Sequence, residues 1–490
     1  MNIIFDLIFY GVPQTGDTVM SAILYYFSTV TSVLFVVMYL HQLIYLIVGS
    51  CVHTKIKHPT PDDVKQHKIG VVISARNESK VISNLIDSIR ANDYPQDLVT
   101  IFVIADNCTD DTAQICRDLG CVVVERFNDK LIGKGYALNY FFTKLHTEEE
   151  FADLVPEAYI IIDADNILKP NYITEMNKAY DAGNDMVTSY RNTKNFSQSW
   201  VAAGTGYWFL HETRHLNNCR YLFHTSCAIS GTGFLIATNV VKEFDNWKFF
   251  TLTEDIECST EYALTGRKVA YCSTAELYDE QPITLKQSWR QRERWAKGFY
   301  QVFGLKGWSL VKAGLTNFSC WDILTTIFPA LFITMASLIV IPTCMIVSAC
   351  MQDWYSFFEA LKALGGVFVP MLGLMWVVGG LICITEWKKI LANPFKKILY
   401  LLLFPIFMGT YIPISIGAMF RKVQWKPIEH TAAITMEELQ EEEKLQELSL
   451  DDQIKLMKKE GEKNADVAKD AQSDGENADV VDTPNERDSA

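Results

Sequence analysis

The hydrophobic and polar positions of this chain fall into two regimes. Four stretches, Val19 to Val48, Ile323 to Val347, Leu364 to Thr385 and Ile398 to Phe420, contain no Asp, Glu, Lys or Arg. Each is long enough to cross ~30 Å of hydrocarbon as a helix. Between the first two, short apolar runs alternate with amphipathic ones. Lys68 to Ser74, Val99 to Ala105, Cys121 to Glu125 and Ala158 to Ile162 read as strands. Ser79 to Ala91, Thr109 to Leu119 and Gly135 to Leu145 carry helical periodicity. Such alternation predicts an α/β domain with a mainly parallel, helix-covered sheet, on which ligands bind at the carboxyl ends of the strands.

Basic residues orient the spans, because they favour the cytoplasmic side of short loops. Residues 1 to 18 have none, whereas Lys55 and Lys57 follow the first span and Lys388, Lys389, Lys396 and Lys397 lie between the third and fourth. The N-terminus is therefore expected outside and residues 50 to 300 in the cytoplasm. Arg421, Lys422 and Lys426 pull the end of the last span inward as well, and Pro405, Gly409 and Pro413 suit a broken or re-entrant segment there. Residues 301 to 322, with Leu305, Trp308, Leu310, Val311 and Leu315 among lysines, read as an interfacial helix region. Residues 436 to 460 read as an amphipathic helix, and 461 to 490, which lack aromatic residues, as a disordered acidic tail.

Charge and cysteines narrow the class. The chain of 490 residues has a formal charge of −14, of which the segment Glu437 to Ala490, with 18 acidic and 7 basic side chains, carries −11. The remaining −3 makes a basic nucleic-acid-binding protein an unlikely partner class, so no nucleic acid is expected. Twelve cysteines without a CxxC pair give neither a disulfide framework nor a zinc site.

The chemistry sits where strands end. Asp106 closes the second strand, and Asp163 and Asp165 close the strand of YIIIDADN. Two carboxylates one residue apart can share Mg²⁺ or Mn²⁺, whose shell is completed by water and substrate phosphates. A lone DxD is more often a solvated turn, but further motifs follow. Thr253, Glu254 and Asp255 form a triplet, and Gln291, Arg294 and Trp295 share one helical face. That face offers an amide, a guanidinium suited to phosphate and an aromatic plane suited to stacking.

The ordered set of Asp106, Asp163-Ala-Asp165, Thr253-Glu254-Asp255 and Gln291-x-x-Arg294-Trp295, flanked by membrane helices, resembles the processive family 2 glycosyltransferases of the cellulose synthase-like, D,D,D,QxxRW type. Gly133-Lys134-Gly135 and Ser230-Gly231-Thr232-Gly233 are lesser matches. The resemblance implies a GT-A fold and inverting transfer from a UDP-sugar donor to a growing polysaccharide acceptor at the lipid bilayer. By motif, Ser74, Arg76, Glu78, Asp106, Lys134, Asp163, Gln291 and Arg294 would hold the nucleotide sugar. Asp163 and Asp165 would bind the metal, Gly231, Thr232 and Trp295 the acceptor, and Asp255 would be the base beside Glu254. UDP-glucose and a β-glucan are the favoured donor and product. A UDP-N-acetylglucosamine polymer or a glycolipid are the nearest alternatives, and a transporter or membrane scaffold is the alternative of another class. Unlike cellulose synthases with a β-barrel nucleotide sensor, this chain has a short acidic tail without strand pattern.

Overall fold

The computed structural model describes residues 18–60, 62–327, 329–423, 434–448, 452–453 and 455. The expected strands form with their ends moved by one residue: β1 Ile69–Ala75, β2 Val99–Asp106, β3 Val122–Arg126 and β4 Ala158–Asp163. They pair in parallel in the order β3-β2-β1-β4. Four further strands, β5 Ile167–Leu168, β6 Met186–Thr193, β7 Phe234–Ala237 and β8 Ala270–Asp279, complete one sheet of order β3-β2-β1-β4-β7-β6-β8-β5. β7 runs antiparallel to both neighbours, while β6 and β8 are parallel. The sheet is thus mixed and mostly parallel.

Alternation within β1 explains its two covered faces. Ile69, Val71 and Ile73 pack under the helix Ile82–Arg90, which contributes Ile82, Leu85, Ile86 and Ile89 at helical spacing. Val72 faces the other core, where the helix Lys134–Thr147 places Ala137, Leu138, Phe141, Phe142 and Leu145. With both faces covered, the polar groups gather at the carboxyl ends of the strands.

The apolar segments depart from the simple spans. The first helix runs Val19–Cys51. The expected span Ile323 to Val347 is divided, with one helix over Phe318–Ile327 and another over Pro329–Cys350. Its first part is apolar because Cys320, Ile323, Leu324 and Ile327 pack against Ala263, Val302 and Leu310 of the globular domain. The third helix begins at Trp354, ten residues before the charge-free stretch, where the Asp353 side chain caps it by accepting from the Ser356 N–H, and Glu359 and Lys362 of its first turns pair at 2.6 Å. Among the described residues, four helices are long and apolar enough to cross a membrane.

The fourth of these is broken into Pro394–Gly409 and Tyr411–Phe420. Both halves lie on the domain. The Tyr207 hydroxyl donates to the Lys397 carbonyl at 2.7 Å, the Phe407 ring lies flush against Gly204, and the Tyr300 hydroxyl donates to the Ser415 carbonyl at 3.0 Å. Arg421 then pairs with Glu293 at 3.4 Å.

Residues 301 to 314 are not a separate interfacial helix, since one helix runs unbroken from Leu285 to Gly314. Leu305, Trp308 and Leu315 are exposed on this part of the chain. The tail helix spans Met436–Glu447, with Leu439 buried against Ile167, Tyr278 and Leu391. Residues 461–490 and 1–17 lie outside the described residues.

A buried ion pair ties the first helix to the domain. Arg220 grips Asp322 with two bonds of 2.8 and 2.9 Å, and Tyr45 and His41 of the first helix reach the same carboxylate. Asp322 is 1% exposed. Asp322→Ala leaves a buried guanidinium without its partner, at a cost of about 3–5 kcal/mol. The midpoint of thermal unfolding in detergent is expected to fall clearly; an unchanged midpoint would contradict this reading.

Candidate active site

The parallel register brings the acidic strand ends together. Ser74 of β1 stands opposite Asp163 of β4 and next to Ile104 of β2, two residues short of the level of Asp106. Asp106 is buried, which raises its carboxyl above the usual range, while Arg126 from the end of β3 forms an ion pair with it and opposes that rise. Arg126 also donates to the Leu131 carbonyl at 2.6 Å, pinning the loop that leads to Lys134. Glu78 is fixed through its backbone N–H, which donates to the Thr112 hydroxyl at 2.9 Å. Ser74, Arg76, Glu78, Asp106, Lys134, Asp163 and Asp165 all line one cavity of about 630 Å³.

Lys134 joins two walls of that cavity. Its ammonium donates to Asp163 and, at 2.7 Å, to the carbonyl of Gly231. Gly231 and Gly233 have φ of +82° and +67°, a turn that only glycine adopts without strain. Gly135 is needed for a different reason: a Cβ there would collide with the Phe249 carbonyl oxygen. That close approach sets the helix bearing Lys134 against the segment that leads into Glu254 and Asp255.

Glu254 and Asp255 open the helix Glu254–Leu264, and both face the cavity. Desolvation raises both carboxyls; the neighbouring Asp255 charge raises Glu254 further, while Lys134 lowers both. A carboxyl raised toward neutrality is suited to taking a proton. Gln291, Arg294 and Trp295 line the same cavity from the helix Leu285–Gly314. Trp295 meets Phe209 edge-on, with ring centroids 5.9 Å apart. The Gln291 Oε1 is buried and accepts no hydrogen bond.

Thr232 sits elsewhere than the cavity wall expected for an acceptor contact. It is buried, its hydroxyl bonding Asn166 and accepting from the Asp163 N–H at 2.9 Å. It positions Asp163. Gly231 does line the cavity.

Asp163 and Asp165 both face the cavity, and Asp165 is held by the Glu280 N–H at 3.1 Å. Among the described residues, no cluster of three or more His, Cys, Asp or Glu could hold a metal ion. Two carboxylates without a cage fit a cation of the Mg²⁺ or Mn²⁺ kind, which takes its remaining oxygens from phosphates and water.

Some residues that line or support the cavity were not read from the sequence. Arg126 lay one residue past the expected end of its strand, where the carboxyl-end rule could have found it. Arg191, paired with Asp279 and stacked 3.7 Å over Phe209, belongs to strands the apolar pattern did not reveal. Glu212, bonded by the Ser230 hydroxyl, sits in a π-helical turn over Glu212–Asn217 that carries no sequence signal.

The raised carboxyls carry a stability consequence with a definite sign. A carboxyl whose folded value lies above its unfolded one, ~4.3 for Glu, costs no stability while protonated in both states. It opposes folding once pH rises through the folded value. Glu254→Gln is therefore expected to raise the unfolding midpoint at pH 8 and to leave it unchanged at pH 4. A midpoint lowered at pH 8 would contradict the burial of this charge.

Residues 67–298 match the family model described as "Glycosyltransferase like family 2". A probable glycosyltransferase, YdaM, from Bacillus subtilis is 26% identical over 47% of this chain and 55% of its own length. A beta-monoglucosyldiacylglycerol synthase from Nostoc sp. is 24% identical over 52% of this chain and 54% of its own. A poly-beta-1,6-N-acetyl-D-glucosamine synthase from Staphylococcus epidermidis is 25% identical over 55% and 65%. The chain spans little more than half the length of the first two relatives. The sheet, the acidic strand ends and the matched segment agree: residues 67–298 form a glycosyltransferase family 2 domain with a GT-A type fold.

Proposed function

We propose that this chain is an inverting glycosyltransferase that elongates a β-glucan from UDP-glucose at a membrane. The observation that carries the reading is the single cavity, which begins at the strand ends and reaches Tyr39 and Gln42 of the first helix and Met371 and Met375 of the third candidate span. Donor and acceptor can then meet at Asp255, one from the aqueous side and one from the bilayer side.

In this reading Ser74, Arg76, Glu78 and Asp106 hold the nucleoside. Lys134, Gln291 and Arg294 surround the diphosphate, and the positive charge of Lys134 and Arg294 stabilises it as it departs. A divalent cation, when bound by Asp163 and Asp165, would neutralise further diphosphate charge. Asp255 takes the proton from the acceptor hydroxyl as that oxygen attacks the anomeric carbon; burial and the charge of Glu212 keep its proton affinity high, and Glu254 lies beside it. Trp295, braced by Phe209, stacks on the acceptor sugar. Gly231 lets the turn approach it closely.

A glycolipid product is the second reading, favoured by the apolar wall of Met371, Met375, Phe407 and Met408. The relative named as a beta-monoglucosyldiacylglycerol synthase agrees with it. A UDP-N-acetylglucosamine polymer remains an outcome of the donor test.

We also place the domain in the cytoplasm and the N-terminus outside. The broken segment 394–420 is proposed to re-enter rather than cross, since both its halves rest on the domain and Arg421 returns to Glu293. The tail helix then shares the domain's side, as its packing on Tyr278 requires.

Purified full-length protein, given UDP-glucose or UDP-N-acetylglucosamine with Mg²⁺ or Mn²⁺, is expected to use UDP-glucose, to form a product digested by β-glucanases, and to stop in EDTA. Transfer of N-acetylglucosamine alone, or full activity in chelator, would overturn the donor or the metal assignment. Asp255→Asn should keep UDP binding by calorimetry while turnover falls ~10² to 10⁴-fold, the contribution of a positioned base. Near-normal turnover would remove Asp255 from that role. Lys134→Ala should instead weaken UDP binding itself.

A further inference from the structure

Arg292 lies between Gln291 and Arg294 yet has no part in the reading above. It is 1% exposed and lines the cavity. Its Nη1 donates to the Phe407 carbonyl at 3.1 Å and the Thr410 hydroxyl at 2.8 Å, and its guanidinium lies 4.1 Å from the Phe407 ring centroid. Its Nη2 donates to nothing. The adjacent Glu293 faces Arg421, and no carboxylate among the described residues offsets the Arg292 charge. Burial accordingly pushes the guanidinium down to about 10.

A buried, unpaired cation is costly, and buried charges are as a rule paired or kept for a ligand. Two more buried polar atoms on the same helical face have no partner, the Ser288 Oγ and the Gln291 Oε1. Gln291 and Arg292 line the cavity, and Gly409 and Tyr411 of the broken segment line it too. A Cβ at Gly409 would meet nothing within 4 Å, so the turn is not tightly packed on that side.

We propose that Arg292 anchors a binding site for a phosphate-bearing membrane lipid, with its headgroup at the guanidinium and its chains along the apolar wall. The missing counter-charge calls for an anion, and a guanidinium takes phosphate through paired N–H donors. The surroundings call for a lipid rather than free phosphate, because Phe407, Met408, Tyr411 and Ile412 line the cavity on that side. The donor diphosphate is assigned to Lys134, Gln291 and Arg294, and Arg292 has no part in holding it. The inference rests on the proposed function only for the position of the bilayer.

The test is equilibrium binding of fluorescent phosphatidic acid to the full chain in a neutral detergent, with UDP binding measured on the same samples. Arg292→Gln is expected to weaken lipid binding about tenfold or more, the worth of one charge-assisted hydrogen bond. Arg292→Lys should retain part of the affinity, and both variants should still bind UDP. Unlabelled phosphatidic acid should compete, whereas neutral diacylglycerol and inorganic phosphate should not. Unchanged lipid affinity in Arg292→Gln overturns the site, as does equal competition by diacylglycerol. Inorganic phosphate competing as well as the lipid overturns the lipid as ligand. Should Arg292→Gln not fold, Phe407→Ala, which removes the apolar wall and leaves the guanidinium, must weaken phosphatidic acid binding or the proposal fails. Absence of UDP binding in the unaltered protein would count against the proposed donor alone.

Discussion

One ammonium group holds the centre of this molecule together. Lys134 bonds Asp163 at the end of β4 and the carbonyl of Gly231 in the glycine-rich turn. The next residue, Gly135, lets the helix approach the Phe249 carbonyl, so the same turn of chain also sets the position of Glu254 and Asp255. Thr232 completes the link by accepting from the Asp163 backbone. Strand end, turn and acidic pair thus share one support, and none can move without the others.

The buried charges are what this arrangement costs in stability. Glu254 and Asp255 are both raised by desolvation, and Lys134 offsets that rise only in part. Such strain is tolerable because the surroundings are rigid. Below lies a sheet with both faces covered, and beside it the Arg220–Asp322 pair fastens the first apolar helix to the domain. The site needs that fastening, because its far wall is built from the apolar helices.

Much of this was legible before the structure. The four parallel strands announce themselves as apolar runs, and the acidic residues that close two of them, together with the triplet and the Gln291 face, mark the cavity. What stayed hidden depends on contacts distant in sequence. β6 and β8 carry polar residues inward, such as Arg191 and Asp279, which satisfy each other and so break the apolar pattern. Ile323 to Ile327 looked like lipid-facing residues because core and bilayer select the same side chains. Arg292 stands in the charged run Arg290 to Arg294, a pattern typical of a solvated face, and only the broken segment folding back over it makes it buried. Thr232 was placed on the acceptor side, whereas its two hydrogen bonds turn it toward the core.

The central claim is that one displacement occurs in the cavity, with Asp255 accepting the proton. The anomeric configuration of the first transferred sugar tests it most directly, measured from the proton NMR coupling of product made from UDP-glucose, whose own linkage is α. A β-linked product is the result predicted. An α-linked product would mean that configuration is retained, and a single displacement assisted by Asp255 could not then be the reaction.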